Sequence, residues 1–289
     1  MMERLRYTIA GHGVEIETFS KKRTNELLPS FAPFYTELDE EECNVLFRLE
    51  GNHTIHCDGM ISVEQFSRLP NRYTVFENEE ETIIRMSRGE VSYHLRFLSD
   101  FSRVETDLTM TLESEATYLN SFVMIAFTLA STPLKTVKLH ASVIEKEGKA
   151  ILFLGKSGTG KSTHARLWQD YVAECSLLND DEPVLRIMDD GEVWVFGTPW
   201  SGKTPCYRNV SAKVSAIVRL YQHPKNILTQ LRGMDAFTAV FQSAGILRSD
   251  RRHRDLLFDN IAQLTGVIPV YRLDCLPDKG AVMLSETVL

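Results

Sequence analysis

The sequence predicts an α/β protein in two parts: a strand-rich region over residues 1–115 and a domain of mixed strands and helices over 116–289. Two observations carry this. In residues 91–97, VSYHLRF, Val91, Tyr93, Leu95 and Phe97 alternate with Ser92, His94 and Arg96, the period of a half-buried strand. Residues 149–173 run from the apolar stretch KAILFL through a glycine-rich turn into a helical segment.

The elements follow in order. Residues 45–49 and 82–86 read as strand partners of 91–97, separated by the turn signals Glu50-Gly51-Asn52 and Arg88-Gly89. The acidic run Glu37–Glu42 reads as a solvated loop. Residues 116–131, ATYLNSFVMIAFTLAS, predict a helix that Pro133 ends. A domain boundary falls near 115–135. Residues 137–144 and 149–154 predict a hairpin across Glu145–Gly148, and 161–173 predict a helix. Strands are expected at 176–179, 184–188, 192–196 and 214–220, with Asp189-Asp190-Gly191 as a hairpin turn. Helices near 234–246 and 254–265 close the chain. Trp168 and Met188 are expected in the core.

Composition narrows the function classes. With 43% hydrophobic and 25% charged residues the chain is that of an ordinary globular protein able to bury its own core. A net charge of −7 offers no field to gather nucleic acid. The five cysteines form no CxxC pair, which predicts reduced thiols rather than a disulfide framework or zinc ribbon. Neither the N-terminus nor the apolar stretch 122–131 has the length of a signal peptide or a membrane span. A cytoplasmic protein, not bound to membranes, is expected.

The glycine-rich turn is Gly155-Lys156-Ser157-Gly158-Thr159-Gly160-Lys161-Ser162, a G-x-x-x-x-G-K-S P-loop with a strand before it and a helix after it. Glycines permit a nest of inward N–H groups, and the helix adds its positive end. Lys161 supplies charge for the β- and γ-phosphates and Ser162 a hydroxyl for Mg²⁺. Eighteen residues separate Lys161 from Asp180 in SLLNDDEP, room for one helix and the following strand. Asp180 and Asp181 should therefore end a strand beside the P-loop. One carboxylate suits the metal; the other suits the proton of an acceptor hydroxyl. No Asn-Lys-x-Asp guanine signature occurs, so nothing selects GTP, and these residues leave the base open.

Leu139-His140-Ala141-Ser142, GKSGTGKST (155–163), LLNDDEPV (177–184) and Phe196–Lys203 together resemble the HPr kinase/phosphorylase C-terminal domain, and more closely the HPr-kinase-related proteins of bacterial gene clusters. The P-loop and acidic pair are also similar to ATP-dependent phosphoenolpyruvate carboxykinase. The resemblance spans roughly 135–275. It implies an HPr-kinase/carboxykinase-like fold whose sheet is mixed, with the P-loop, Thr163 included, following a hairpin. It implies that His140 orders the aspartates, with Asp180 as the base and Asp181 near the metal, the reverse being open. It implies that 196–203 forms a loop over the site, Gly197 and Gly202 allowing backbone approach to a ligand and Lys203 reaching phosphate. Arg208 is a weaker candidate. Ser162-Thr163-His164 stands where HPr kinases have Ser-Glu-Thr, and no HPr-docking signature follows the acidic pair, so an acceptor other than HPr is implied. The best-known relatives are hexameric, so a homo-oligomer is implied.

Two further clusters stand apart. His53, His56 and Cys57 have strand-like neighbours that set i and i+3 on opposite faces, a structural rather than a metal-binding pattern. Arg248–Arg254 is a basic run that reads as a solvated helix start or as a contact for an acidic partner. The expected function is an ATP- and Mg²⁺-dependent kinase acting on a serine-like hydroxyl of a peptide, protein or small molecule. The alternatives are a nucleotide-binding regulatory module and a carboxykinase-like enzyme.

Overall fold

A computed structural model describes residues 2–38, 40–98, 101–202, 204–245, 247 and 249–289. The chain divides into two compact units, residues 1–131 with 247–251 and residues 132–246 with 252–289.

The first unit is built on a nine-stranded sheet. Its elements are β1 (Glu3–Ile9), β2 (His12–Thr18), α1 (Lys21–Leu27), β3 (Tyr35–Thr36), α2 (Glu40–Cys43), β4 (Val45–Glu50), β5 (Ile61–Arg68), β6 (Asn71–Glu77), β7 (Thr82–Arg88), β8 (Val91–Phe97), β9 (Arg103–Thr106) and α3 (Ala116–Ser131). The strand order is β3-β1-β2-β4-β9-β8-β7-β6-β5. The alternation at 91–97 does form β8, paired to β7 across the whole of its length. The acidic run at 37–42 contributes to α2 rather than to loop alone. Among the buried residues are Phe47 and Leu49 of β4 and Phe122 and Phe127 of α3. Phe127 lies edge-on to His12, and Tyr118 hydroxyl donates to Val91 O at 3.2 Å. These contacts join α3 to the first sheet, so the division falls after Ser131 and not at residue 115.

The second unit contains β10 (Thr136–Lys138), β11 (Ala141–Lys146), β12 (Lys149–Leu154), α4 (Lys161–Tyr171), β13 (Cys175–Asp181), β14 (Val184–Ile187), β15 (Val193–Phe196), β16 (Ser211–Gln222), β17 (Ile227–Leu231), α5 (Gly233–Phe241), α6 (Arg251–Val267), β18 (Val270–Cys275) and α7 (Lys279–Glu286). The sheet runs β10-β14-β15-β16-β12-β11-β13, and β17 and β18 continue it from β16. It is mixed: β12–β16 and β16–β18 are parallel, the rest antiparallel.

Both faces of this sheet are covered, which explains the near-continuous apolar run of β12. Ala150, Leu152 and Leu154 join one cluster with Val240 of α5 and Ile261 and Leu264 of α6. Ile151 and Phe153 join the other with Ala165 and Trp168 of α4 and Val282 of α7. Trp168 is fully buried; Met188 is only half-buried, in the turn after β14.

The structure corrects two strand expectations. Residues 137–144 are not one strand. The chain breaks at Leu139-His140, where Leu139 N–H donates to Pro183 O at 3.1 Å and His140 N–H to Ser243 O at 2.7 Å. β10 then pairs with β14, and β11 with β12 and β13. Nor is β13 hydrogen-bonded beside β12: antiparallel β11 lies between them. Their carboxyl ends still share one end of the sheet, because both run opposite to β11.

Candidate functional site

Leu154 ends β12, and the chain turns through 155–160 into α4. Gly160 caps that helix at φ 109°, a conformation that side chains resist, and its carbonyl accepts from His164 N–H at 2.8 Å. Thr159 tightens the turn: its N–H and Oγ1 reach Lys156 O at 3.1 and 2.7 Å. Gly155 is buried. Lys156, Ser157 and Gly158 are exposed, as are Ser162 and Thr163 on the first turn of α4.

Lys161 is buried beneath this loop. Its Nζ donates to Gly155 O at 3.0 Å and lies 3.0 Å from His140 Nε2. On the other side of the ring, His140 Nδ1 lies 2.7 Å from Asp181 Oδ1. With Nδ1–H given to the carboxylate, Nε2 is left to accept from the lysine. Burial lowers the Lys161 pKa and Arg219 adds to that, against the opposing pull of Asp181 and Asp180. For Asp181, burial pushes the carboxyl up, but the His140 contact, with Lys138 and Lys161, outweighs it and leaves the pKa lowered.

The two aspartates differ in surroundings. Asp180 is 5% exposed. Its Oδ1 accepts from Ser162 Oγ at 3.0 Å and from the buried Ser142 hydroxyl on β11. Its carbonyl accepts from Gly202 N–H at 2.7 Å and Ser201 Oγ at 3.1 Å. The Asp181 side chain is 34% exposed, and its backbone sits at φ 135°, a region that costs a non-glycine residue about 1–3 kcal/mol. A bridge to Ser201 helps to hold it there.

Behind the pair, buried Asn179 ties the strand to the 197–202 loop. Its Nδ2 donates to Thr198 Oγ1 at 3.3 Å and Trp200 O at 3.2 Å, and its Oδ1 accepts from Glu182 N–H at 3.2 Å. Glu182 is buried and paired with Lys138. His140, Asp181 and Glu182 each present a ligand atom within 4.8 Å of one another, but Lys138 already neutralises Glu182. Ser162 and Asp180 form an all-oxygen pair, the donor type that a hard divalent cation takes.

Expectations for the 196–203 loop need correction. Gly197 makes room for the chain itself, since a Cβ there would lie 2.0 Å from Arg208 O. Gly202 likewise lies against Asp181. Lys203 falls outside the described residues. Arg208 is held to β13, donating to Leu177 O at 2.6 Å and Ser176 Oγ at 3.0 Å. In the first unit, His53, His56 and Cys57 lie in the connection after β4 rather than on a strand. His53 faces Glu50 and Glu105 at 3.6 Å, carboxylates that Arg103 also contacts. Of the basic run, Arg248 lies outside the described residues and Arg251–Arg254 opens α6.

The structure thus brings Lys161, Ser162, His140, Asp180 and Asp181 together. Sequence reasoning missed Ser142, Lys138, Asn179 and Arg219. For Ser142 a signal existed, a hydroxyl within the apolar run VKLHASVI.

Fold and site define a mixed α/β protein in which a strand, a glycine-rich loop and a helix face two carboxylates across a histidine. It belongs to the SynChlorMet cassette protein ScmC family, whose sequence model matches residues 104–278, more than half of the chain. No curated protein matches. Among solved structures the chain is similar to the HPr(Ser) kinase/phosphatase from Coxiella burnetii, at 11% identity and a TM-score of 0.32, over 52% of this chain and 87% of that one. So distant a likeness bears on neither activity nor substrate.

Proposed function

We propose that this chain is an ATP-dependent phosphotransferase moving a γ-phosphoryl group to a hydroxyl on a peptide, protein or small molecule. The observation that carries the reading is the meeting of Ser162 Oγ with Asp180 Oδ1 at 3.0 Å beside Lys161. A P-loop serine and a strand-end carboxylate so placed supply what a Mg²⁺–nucleotide requires.

The roles follow from the surroundings. The 155–160 amides and Lys161 would hold the polyphosphate and stabilise charge on the phosphoryl group in flight. Ser162 and Asp180 would hold Mg²⁺, which when bound neutralises charge on the β- and γ-oxygens. Asp181 is the more exposed carboxylate and carries the imidazole contact, so it takes the acceptor's proton late in a loose transfer. This reverses the order in which Asp180 is the base. His140 orients Asp181 and steers Lys161. Positioning and electrostatics supply the rate.

Incubation with γ-labelled ATP, Mg²⁺ and a panel of hydroxyl acceptors tests the reading, with Lys161→Ala and Asp181→Asn beside the wild type. Label transfer lost in both variants is expected. Nucleotide binding without transfer to any acceptor would favour a regulatory module. Oxaloacetate-dependent ADP formation with CO₂ release would favour the carboxykinase alternative.

A further inference from the structure

On the opposite flank of the glycine-rich loop from the acidic pair lies an open cleft of about 750 Å³, bordered by Ser157, Thr159, Arg219, Tyr221, Gln222 and Gln242. That volume is in the range of small-molecule sites. The sheet order explains its placement. β12, which leads into the loop, has β16 on one side and β11 with β13 on the other. Arg219 stands directly beside Leu154 in the β12–β16 register.

Arg219 is the unusual member. It is 3% exposed. Its Nη1 donates to Ala239 O at 2.7 Å and Ser243 Oγ at 3.3 Å, at the carboxyl end of α5. Among the described residues no carboxylate pairs with it. Buried charges are ordinarily paired, and carbonyl and hydroxyl partners only partly offset a full cation. Beside it, Tyr221 is exposed and braced by the Arg272 guanidinium 4.3 Å from its ring centre. Arg272 is itself fixed by two bonds to Asp274, at 2.7 and 2.8 Å. Gln222 and Gln242 are exposed amides, each able both to donate and to accept.

We propose that this cleft is the nucleoside subsite, with Arg219 holding the phosphate–ribose end and Tyr221, Gln222 and Gln242 receiving the base. The inference rests on the phosphotransferase reading. In-line displacement sets the acceptor and the departing nucleotide on opposite sides of the transferring group. Asp181 and His140 define the acceptor side, on the β13 flank. The departing nucleoside diphosphate then extends over the β16 flank, where an aromatic wall, two amides and a buried guanidinium await it.

Calorimetric titration of the full chain with Mg-ATP and with Mg-tripolyphosphate tests this, since only the former carries a nucleoside. ATP is expected to bind at least tenfold more tightly. Tyr221→Ala and Gln242→Ala should shrink that advantage severalfold and leave tripolyphosphate binding unchanged. Both alter exposed side chains, and thermal melts check that they fold. Arg219→Gln should weaken ATP binding; a lowered melting temperature with unchanged ATP affinity would make Arg219 a helix-end contact only and remove it from the site. Equal binding of the two ligands, or an ATP advantage that the cleft variants leave intact, overturns the subsite alone. Binding of neither overturns the phosphotransferase reading as well.

Discussion

Ser162 on the first turn of α4 and Asp180 near the end of β13 share a 3.0 Å hydrogen bond across 17 residues of intervening chain. Removing either side should disable the same function. Asp180→Asn and Ser162→Ala are each expected to lower phosphoryl transfer by about a hundredfold or more, the scale of losing one preorganised transition-state contact. Because the two act as a unit, the double variant should be little worse than the weaker single. Initial rates with γ-labelled ATP at fixed Mg²⁺ decide this, and additive losses would separate the roles.

His140 helps to lower the Asp181 pKa. Burial raises this carboxyl pKa, and without the imidazole only Lys138 and Lys161 oppose it, so the pKa rises. In the proposed mechanism the acid limb of the pH–rate profile reports the ionisation of Asp181. In His140→Ala that limb should move to higher pH, with the plateau rate reduced by about 10–100-fold, as when a positioning partner is lost. A uniformly lowered profile with an unmoved limb would remove His140 from this role.

His164, two residues beyond Ser162, tests stability rather than activity. Its Nε2 lies 3.1 Å from Ser285 Oγ, which also accepts from Trp168 Nε1 at 2.9 Å, and its ring is edge-on to Phe153. Burial pushes its pKa down to about 4 from an ordinary 6.5, with a small opposing pull from Asp278. The unfolded chain therefore protonates first as pH falls. Stability should drop between pH 6.5 and pH 4 by up to roughly 3 kcal/mol from this one group, then contribute no further slope. The depressed carboxylates act only below about pH 3.8, so the two windows are distinct. Urea melts across pH 4–7 should show the slope in wild type and its loss in His164→Gln.

Gly197 has no room for a side chain. Alanine there would drive Cβ to 2.0 Å from Arg208 O, so the backbone must move. A loss of about 3 kcal/mol, at the upper end for overpacking, is expected by chemical denaturation. A neutral Gly197→Ala would show that the segment carrying Arg208 relocates freely.

Local chemistry made part of this legible. The apolar run 116–131, closed by Pro133, announces α3 because a long buried helix needs little tertiary help to be recognised. The glycine-rich turn and the spacing to Asp180 and Asp181 announce the core of the site. The break at His140 was hidden, because both fragments are strands and only the distant acceptors Pro183 O and Ser243 O separate them. Arg219 was hidden for a related reason: in VSAIVRLYQ it reads as an exposed strand residue, and only the α5 carbonyl end brings it indoors. Ser142 reaches Asp180 through a register that the bulge at Val143/Ile144 helps to set, which pattern alone does not fix.

The strand that presents the aspartates is the last in its sheet, and terminal strands invite another chain to add itself. Here the outer rim is already stoppered. The carbonyls of Leu177, Leu178 and Asp180 are taken by Arg208, Cys206, Ser201 and Gly202 from one short stretch of irregular backbone. The protein can thus leave the Asp181 carboxylate at a sheet margin, reachable from solvent, without offering that rim as a template for aggregation.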